Sequence, residues 1–225
     1  MLTRSEEDHI KAVHALLQDG ATAGTKDLAE KLNIKASSVT VMLKKLAEKG
    51  LLKHEPYYGV KLTAKGKAAA LKLVRKHRLW ETFLVERLGF GWDEVHEVAE
   101  QLEHVRSTKL TDNLAEYLGD PAFDPHGDPI PDRNGRMQTR DTKPLTECGI
   151  GTHVRIAAVK DGTDPLLNLL DRKGLGIGMR MQVTALQDFD GSLELSGEKG
   201  SPIALSAKVA AHLLVEVVPK GKRKP

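Results

Sequence analysis

Apolar residues recur at helical spacing near the start of the chain and predict a first helix. Between residues 10 and 17 they lie three or four positions apart, and Gly20 ends the run. Thr3 and Glu6 stand at the spacing of a capping box, in which each side chain accepts a hydrogen bond from the other residue's backbone N–H. The pattern therefore predicts a helix of about four turns that begins near Thr3.

Two shorter helical patterns follow and predict a helix-turn-helix. The segments "KDLAEKL" and "SSVTVMLKKLAEK" are joined by "NIKA"; Thr25 is the predicted cap of the first, and Gly50 ends the second. The next segment, "LLKHEPYYGVKLT", has apolar and β-branched residues around Pro56 and Gly59, which is typical of a short hairpin. A hairpin after a helix-turn-helix predicts a winged-helix domain over residues 1–63.

The remaining pattern divides into helical, extended and strand-like segments. Residues 64–118 have the helical periodicity and the composition of three helices. Residues 119–149 are dense in Pro, Gly and charge and predict a linker. Residues 150–218 contain four short strand patterns, "THVRIAAV", "MRMQVTAL", "SLELS" and "LLVEVV", which predict a small barrel. Residues 219–225 form a basic tail.

Composition limits the class of protein. The chain has 225 residues, 40% apolar and 29% charged, and no apolar run approaches the roughly 18 residues of a membrane span. The start, "MLTRSEEDHI", lacks the apolar segment of a signal peptide, and the single Cys148 cannot form an intrachain disulfide. We therefore expect a cytoplasmic protein with no membrane partner.

Charge is concentrated in one segment although the net charge is only +3. Residues 35–67 contain eight lysines and only two acidic residues, Glu48 and Glu55. A local basic patch of this kind favours nucleic-acid binding. The lysines are Lys35, Lys44, Lys45, Lys49, Lys53, Lys61, Lys65 and Lys67.

The segment "EVHEVAEQLEHV" raises the question of a metal site. On a helix, its two histidines and two of its glutamates fall inside an arc of about 100°. That arc fits either a solvated polar face or half of a metal site. Upstream, His77 and Glu81 are four residues apart, so they can share one ion or decorate a surface. Asp8 in the first helix is, by itself, a favourable charge near the positive helix end.

Together these features resemble the diphtheria-toxin-repressor group of metal-dependent transcriptional regulators, which includes the manganese transport regulators. The resemblance covers nearly the whole chain: a winged helix, "VRKHRLWE", the motif H-x3-E-x2-E-H at residues 96–104, "DPHGDPIP" and a small barrel. It implies a mainly α fold with a small β part. The expected order is a winged helix-turn-helix, a helical metal-binding and dimerisation domain, and an SH3-like, FeoA-like barrel.

The resemblance also implies which residues act. It gives a primary metal site, an ancillary site that the barrel completes in the iron branch, and a DNA-facing set. In the manganese branch the position of His77 instead helps to hold a metal next to the primary one. The primary ligands are Asp8, Glu100, Glu103 and His104; the ancillary ligands are His77, Glu81 and His96; the DNA-facing residues are Lys35, Ser37, Ser38, Thr40 and Val41, with Lys44 added from the basic patch.

The chain departs from this family pattern at several positions. Lys11 replaces a further acidic ligand of the manganese branch, which favours a single ion at the primary site. Asp161 or Asp164 would have to substitute for the barrel ligands. Val41 replaces a longer polar residue and can contact only a thymine methyl. His126 of "DPHGDPIP" is interpreted as a turn or surface residue.

Ligand chemistry and position lead to a functional expectation. Three carboxylates and one imidazole form a hard, oxygen-rich site that suits Mn(II) first and Fe(II) second. An ion held by Asp8 and by residues 100–104 would fix the DNA-binding module against the dimer module. We therefore expect a homodimeric repressor of metal-uptake genes that binds a palindromic operator and has no organic substrate. The alternatives are a winged-helix regulator of another effector class and a carboxylate-bridged metalloenzyme.

Overall fold

The first part of the chain folds into three helices and a two-stranded hairpin. The computed structural model describes residues 2–18, 23–55, 59–160, 162–197 and 201–219. The predicted winged helix-turn-helix is confirmed, whereas Gly20 and residues 56–58 of the hairpin lie outside the described residues. Its elements are α1 (Arg4–Gln18), α2 (Thr25–Lys31), α3 (Ala36–Glu48) and the antiparallel strands β1 (Leu52–Glu55) and β2 (Gly59–Leu62).

Local hydrogen bonds set the ends of these helices. The predicted capping box of α1 is confirmed, because Thr3 N donates to Glu6 Oε2 at 2.9 Å and Glu6 N donates to Thr3 Oγ1 at 3.3 Å. The prediction that Thr25 caps α2 was wrong. Gly24 holds the cap position, and its N–H donates to Asp27 Oδ2 at 3.2 Å, so the acceptor comes from inside the helix.

The winged helix has its own apolar core. Ile10 and Val13 of α1 and Leu46 of α3 are buried there, together with residues of α2 and the hairpin. At the end of α3, Gly50 has a φ of 70°, a left-handed conformation that glycine adopts without strain. The chain can therefore leave α3 and enter β1 directly.

Residues 64–118 form the three predicted helices. These are α4 (Ala64–Leu88), α5 (Val95–Leu102) and α6 (Thr108–Tyr117). Ser107 caps α6 by accepting a hydrogen bond from Leu110 N at 3.2 Å. Glu103 and His104 were expected on a helix but lie in the turn after α5, although Glu103 N still donates to Ala99 O at 2.8 Å.

The C-terminal part is an antiparallel six-stranded sheet with strand order β3-β8-β4-β5-β6-β7. Its core lies between the strands and two short helices. The four predicted strands are present as β4, β5, β6 and β8. The elements are β3 (Lys143–Pro144), β4 (His153–Val159), α7 (Asp164–Arg172), β5 (Arg180–Leu186), β6 (Leu193–Ser196), β7 (Ile203–Leu205), α8 (Ala207–His212) and β8 (Leu213–Val217).

Several elements were not predicted from the sequence. Helix α7 has Pro165 in its first turn, and α8 is capped by Ser206, which accepts from Val209 N at 3.3 Å. Strand β3 falls in the segment predicted as a linker, and the neighbouring Leu145 and Cys148 are buried in the sheet's core. Apolar burial thus brings the end of that segment into the sheet domain.

The chain divides into two compact units. Helix α4 contributes residues to both of them. The first unit comprises residues 1–80, 99–120 and 130–137, and the second comprises residues 81–98, 121–129 and 138–225. Among the described residues, no helix combines the length and the apolar character needed to cross a bilayer.

Candidate metal sites and DNA-binding surface

In the first unit, three predicted ligands meet in what we call the Asp8 cluster: Asp8, Glu103 and His104. One ligand atom from each lies within 4.8 Å of the others. His104 Nε2 is 3.1 Å from Asp8 Oδ1 and 3.8 Å from Glu103 Oε1. Helix α1 supplies the aspartate, and the turn after α5 supplies the other two residues. Residues nearly a hundred positions apart thus form one group of potential ligands.

Glu7 orients the imidazole of this cluster. His104 Nδ1 is 2.7 Å from Glu7 Oε2, and a carboxylate at this distance accepts the Nδ1 proton. The other ring nitrogen, Nε2, then faces Asp8 and Glu103. Histidines that bind metals usually donate their second N–H to such a partner, so the ring is already aimed as a ligand.

Glu103 is the buried centre of the cluster, with a side chain only 2% exposed. Its Oε2 lies 2.6 Å from both His77 Nδ1 and Lys11 Nζ. Burial alone raises the pKa of Glu103, but the hydrogen bond from His77 and the charge of Lys11 outweigh it and hold the pKa below its usual value. Glu103 is therefore an ionised carboxylate held by a built-in cation.

The pKa of Asp8 is shifted in the opposite direction to that of Glu103. Burial raises the pKa of its carboxyl group, and the neighbouring Glu103 adds to this, while His104 acts against it. Crowding of two carboxylates costs free energy that a divalent cation would remove. Ligand atoms about 2.0–2.2 Å from one ion are at most about 4.4 Å apart. The three side chains can therefore bind a single ion if their ligand atoms move slightly closer together.

Glu100 and His77 make contacts around the Asp8 cluster. Glu100 lies outside the three-residue group; its side chain is 52% exposed, and its Oε1 is 3.9 Å from Lys11 Nζ. His77 contacts Glu103 in the first unit. It is also one helical turn before Glu81 on α4, as its spacing predicts.

The second unit contains another group, the Glu81 cluster, formed by Glu81, Asp124 and His126. Their ligand atoms lie within 4.8 Å of one another, and Glu81 and Asp124 are buried. His96, a predicted ligand, also approaches Glu81, with its Nδ1 3.2 Å from Oε1. Sequence reasoning missed Asp124. The only local signal was the short spacing of Asp124 and His126 beside a glycine.

The loop that carries His126 is closely fixed. His126 lies in a turn, as predicted, but its side chain is only 13% exposed, and its Nδ1 is 4.0 Å from Glu81 Oε2. Its Nε2 donates to the Trp92 carbonyl at 2.7 Å, and the two rings are stacked with their planes 8° apart. A Cβ at Gly127 would collide with the Ala157 carbonyl oxygen. The turn therefore requires glycine at position 127. The contacts with Trp92 hold His126 so that its Nδ1 points toward Glu81.

The barrel does not supply the ligands that were considered for it in the described region. Asp164 is exposed at the start of α7 and is not part of the described groups of potential ligands. Asp161 lies outside the described residues. The Glu81 cluster thus depends on α4 and the loop at residues 123–129.

The predicted DNA-facing residues lie on the exposed side of α3. Ser37, Thr40, Val41 and Lys44 share an arc of about 100°, with Ser38 at its edge and Lys35 at the helix cap. All six are exposed, and Val41 is 68% exposed. The opposite side of α3 is buried in the winged-helix core. This arrangement leaves the polar and basic side of α3 free to enter a DNA groove.

Known families match successive parts of the chain. The iron-dependent repressor N-terminal DNA-binding domain matches residues 1–60, and the iron-dependent repressor metal-binding and dimerisation domain matches residues 63–132. The FeoA domain matches residues 143–217. The HTH-type transcriptional regulator MntR of Lysinibacillus sphaericus is 37% identical over 118 residues, which are 52% of this chain and 84% of that protein. The chain belongs to the iron-dependent repressor family.

Other members and solved structures agree with this assignment. The iron-dependent repressor IdeR of Mycobacterium tuberculosis is 34% identical over 130 residues, 58% of this chain and 56% of that protein. The match thus spans little more than half of the mycobacterial regulator. A solved manganese-dependent transcriptional repressor in complex with manganese superposes with a TM-score of 0.83 at 34% identity, covering 95% of this chain and all of that one. The predicted fold and family are confirmed.

Proposed function

We propose that this iron-dependent repressor family member is a metal-responsive transcriptional repressor whose Asp8 cluster controls DNA binding. The observation that supports this most strongly is the 3.1 Å approach of Asp8, in the DNA-binding segment, to His104, in the metal-binding and dimerisation segment. A ligand set split between these two segments can convert ion binding into a fixed orientation. The chain has a regulatory role and no catalytic one.

Each residue of the cluster contributes a specific part of this control. Asp8 and the buried Glu103 supply negative charge, and His104 supplies a nitrogen that Glu7 has oriented. A divalent cation, when bound, neutralises the crowded carboxylates and joins the two segments. Coupling of this type typically amounts to about 1–3 kcal/mol, or roughly 5- to 150-fold in affinity.

The donor set favours a hard cation. Two carboxylates and one imidazole suit Mn(II) first and Fe(II) second, whereas Zn(II) would compete by intrinsic affinity alone. Glu100 is the fourth primary ligand, since a rotation of its exposed side chain can bring it toward the cluster. Lys11 already occupies one side of Glu103, so the cluster holds one ion rather than two.

We assign a second site to the other unit. Glu81 and His96 retain their predicted roles there, and the geometry adds Asp124 and His126. His77 is one turn away on α4 and contributes to the Asp8 cluster through Glu103. This second site adjusts affinity or stability.

The DNA partner is a palindromic operator bound by a homodimer. Two-fold symmetry would place two α3 helices in major grooves about 34 Å apart or a multiple of that distance. Lys35, Ser37, Ser38, Thr40, Val41 and Lys44 form the contact surface. The site of action is the cytoplasm, and the regulated genes are those of metal uptake.

A metal titration of DNA binding tests the proposal. A duplex is selected from a random library with Mn(II)-loaded full-length protein, and its affinity is measured by fluorescence anisotropy. Chelator-treated protein is compared with protein given Mn(II), Fe(II), Zn(II) or Co(II). Mn(II) should strengthen binding most at physiological concentrations. Equal binding with and without metal would instead favour a regulator of another effector class, and metal-dependent turnover of a substrate would favour an enzyme.

A further inference from the structure

The start of α1 makes a second charged contact, on the side away from the Asp8 cluster. Glu6 is fully buried, and its Oε1 lies 2.6 Å from Lys49 Nζ and 3.1 Å from Lys45 Nζ. Lys45 is in the last turn of α3, and Lys49 is its C-cap residue. One carboxylate therefore binds two ammonium groups at the end of the predicted recognition helix.

Glu6 is held firmly at both of its oxygens. Oε2 accepts from Thr3 N in the capping box, while Oε1 accepts from the two lysines. The hydrogen bonds from Lys49 and from the Thr3 backbone lower the pKa of Glu6 to about 2. Removing such a buried charge leaves its partners without their acceptor, whereas exposed ion pairs contribute little.

Residues in the first two turns of α1 point in two different directions around the helix. Relative to Glu6, Ile10 and Val13 lie within about 40° around the helix, and both are in the core that also contains Leu46 of α3. Asp8 lies about 200° away and faces His104. Position 6 therefore contacts the end of α3, and position 8 contacts the metal ligands.

We infer that Glu6 is a positioning residue that couples the Asp8 cluster to the recognition helix by binding Lys45 and Lys49. This inference rests on the proposed function. When Asp8 is held by an ion, the first turns of α1 are fixed, and Glu6 fixes the end of α3 with them. Without Glu6, the ion would still bind, but α3 would follow α1 through their apolar packing, and packed helices can slide past one another by small amounts.

The test separates metal binding from its effect on DNA. Full-length Glu6→Gln is compared with wild type for Mn(II) affinity, by calorimetry or EPR, and for DNA affinity with and without Mn(II). The metal response is the ratio of the two DNA dissociation constants. We expect Mn(II) affinity to stay within about twofold and the metal response to fall about 5- to 10-fold, part of the usual range of coupling.

Glu48→Gln is the matched control. Glu48 is an exposed glutamate on α3, so both substitutions remove one negative charge near the DNA surface. If only net charge mattered, both variants would bind DNA more tightly with and without metal, and their metal responses would be unchanged. The inference predicts a reduced metal response for Glu6→Gln alone.

Lys49→Met removes the partly exposed partner of Glu6. This variant tests the inference if Glu6→Gln does not fold. Loss of a simple DNA contact lowers both affinities equally, whereas loss of the coupling lowers their ratio. The double variant should lose less of the ratio than the sum of the two single losses, because both changes break the Glu6–Lys49 contact. A wild-type metal response in folded Glu6→Gln or Lys49→Met overturns the inference while leaving the proposed function intact. If the wild-type protein showed no metal response at all, both the inference and the proposed function would be wrong.

Discussion

The Asp8 cluster and the Glu81 cluster have similar ligand types but differ in the origin of their residues. Asp8 belongs to the matched DNA-binding segment, whereas Glu103 and His104 belong to the metal-binding and dimerisation segment. Glu81, Asp124 and His126 all fall within the latter segment. Of these two clusters, only the Asp8 cluster can therefore link an ion directly to the matched DNA-binding segment.

The clusters also differ in how they are held before an ion binds. The Asp8 cluster contains a cation of its own, Lys11, at 2.6 Å from Glu103. In the Glu81 cluster the imidazole of His126 is oriented by the carbonyl and the ring of Trp92. Both clusters have an oriented imidazole, since Glu7 holds His104, but an ion at the first cluster must share Glu103 with a lysine. We therefore expect weaker, switch-like binding at the first and tighter binding at the second.

The largest effect should follow removal of the central carboxylate. Glu103→Gln keeps the volume but removes the charge that an ion needs, so the metal response of DNA binding should be lost, a change of roughly 5- to 150-fold. The matched variant Glu81→Gln should lose one ion per subunit yet retain most of the response. Anisotropy with the selected duplex and metal analysis of the purified variants measure both quantities.

Two results would contradict this assignment of roles. One is a normal metal response in Glu103→Gln. The other is a larger loss in Glu81→Gln than in Glu103→Gln. Circular dichroism and size-exclusion chromatography serve as controls, because both variants should remain folded and dimeric.

Removal of the built-in cation should strengthen metal binding at the Asp8 cluster. Lys11→Gln removes a positive charge next to Glu103, and repulsion of an incoming ion falls accordingly. We expect Mn(II) affinity to rise about tenfold, equivalent to about 1.4 kcal/mol, with no change in the number of ions. Calorimetry distinguishes the two parameters. An unchanged affinity would show that Lys11 moves away at no cost.

Loss of a single lysine should have a smaller effect on DNA affinity, and only when the lysine lies on the DNA-binding surface of α3. Lys44→Ala on α3 should weaken binding to specific and random duplexes alike, by several-fold, and reduce the salt dependence by about one ion. Lys208→Ala on α8 removes a helical lysine that is also exposed, and it should leave binding unchanged. A loss confined to the selected duplex would mean that Lys44 reads bases, and equal losses in both variants would place DNA on the sheet domain too.

The smallest effect is optical and reports on the Glu81 cluster alone. Trp92 is stacked on His126, so an ion bound there should change the tryptophan's fluorescence. In a Trp80→Phe background, Mn(II) should quench the remaining emission, and His126→Ala should abolish the change. A response that persists in His126→Ala would show that Trp92 senses something other than this cluster.

Local sequence signals were sufficient for most helices and strands. The apolar periodicity of α1 and α3–α6, the Thr3–Glu6 capping box and Gly50 all act over a few residues and were read correctly. Helix α7 was missed although Asp164 and Pro165 mark its start, because the surrounding glycines and aspartates are typical of turns. The burial of Leu145 could not be foreseen, since it depends on pairing of β3 with β8, some seventy residues later.

The candidate sites show the same difference between features with a sequence signal and features that depend on tertiary contacts. Asp8, Glu103 and His104 were predicted through the family motif, and the structure brings them together. Asp124 and His126 were not, because their partner Glu81 lies on another element and only the fold brings them close. The contact of Glu6 with Lys45 and Lys49 likewise required the packing of α1 against α3. The family motif thus identified ligands from two elements, whereas the ligands outside that motif, Asp124 and His126, became visible only in the tertiary structure.

The central claim is that one ion joins Asp8 to Glu103 and His104. Anomalous diffraction at the manganese edge from crystals of Mn(II)-loaded protein tests it directly. The account predicts a peak about 2.0–2.3 Å from a carboxylate oxygen of Asp8 and of Glu103 and from His104 Nε2. Anomalous density at the Glu81 cluster alone, with Lys11 still bound to Glu103, would contradict it.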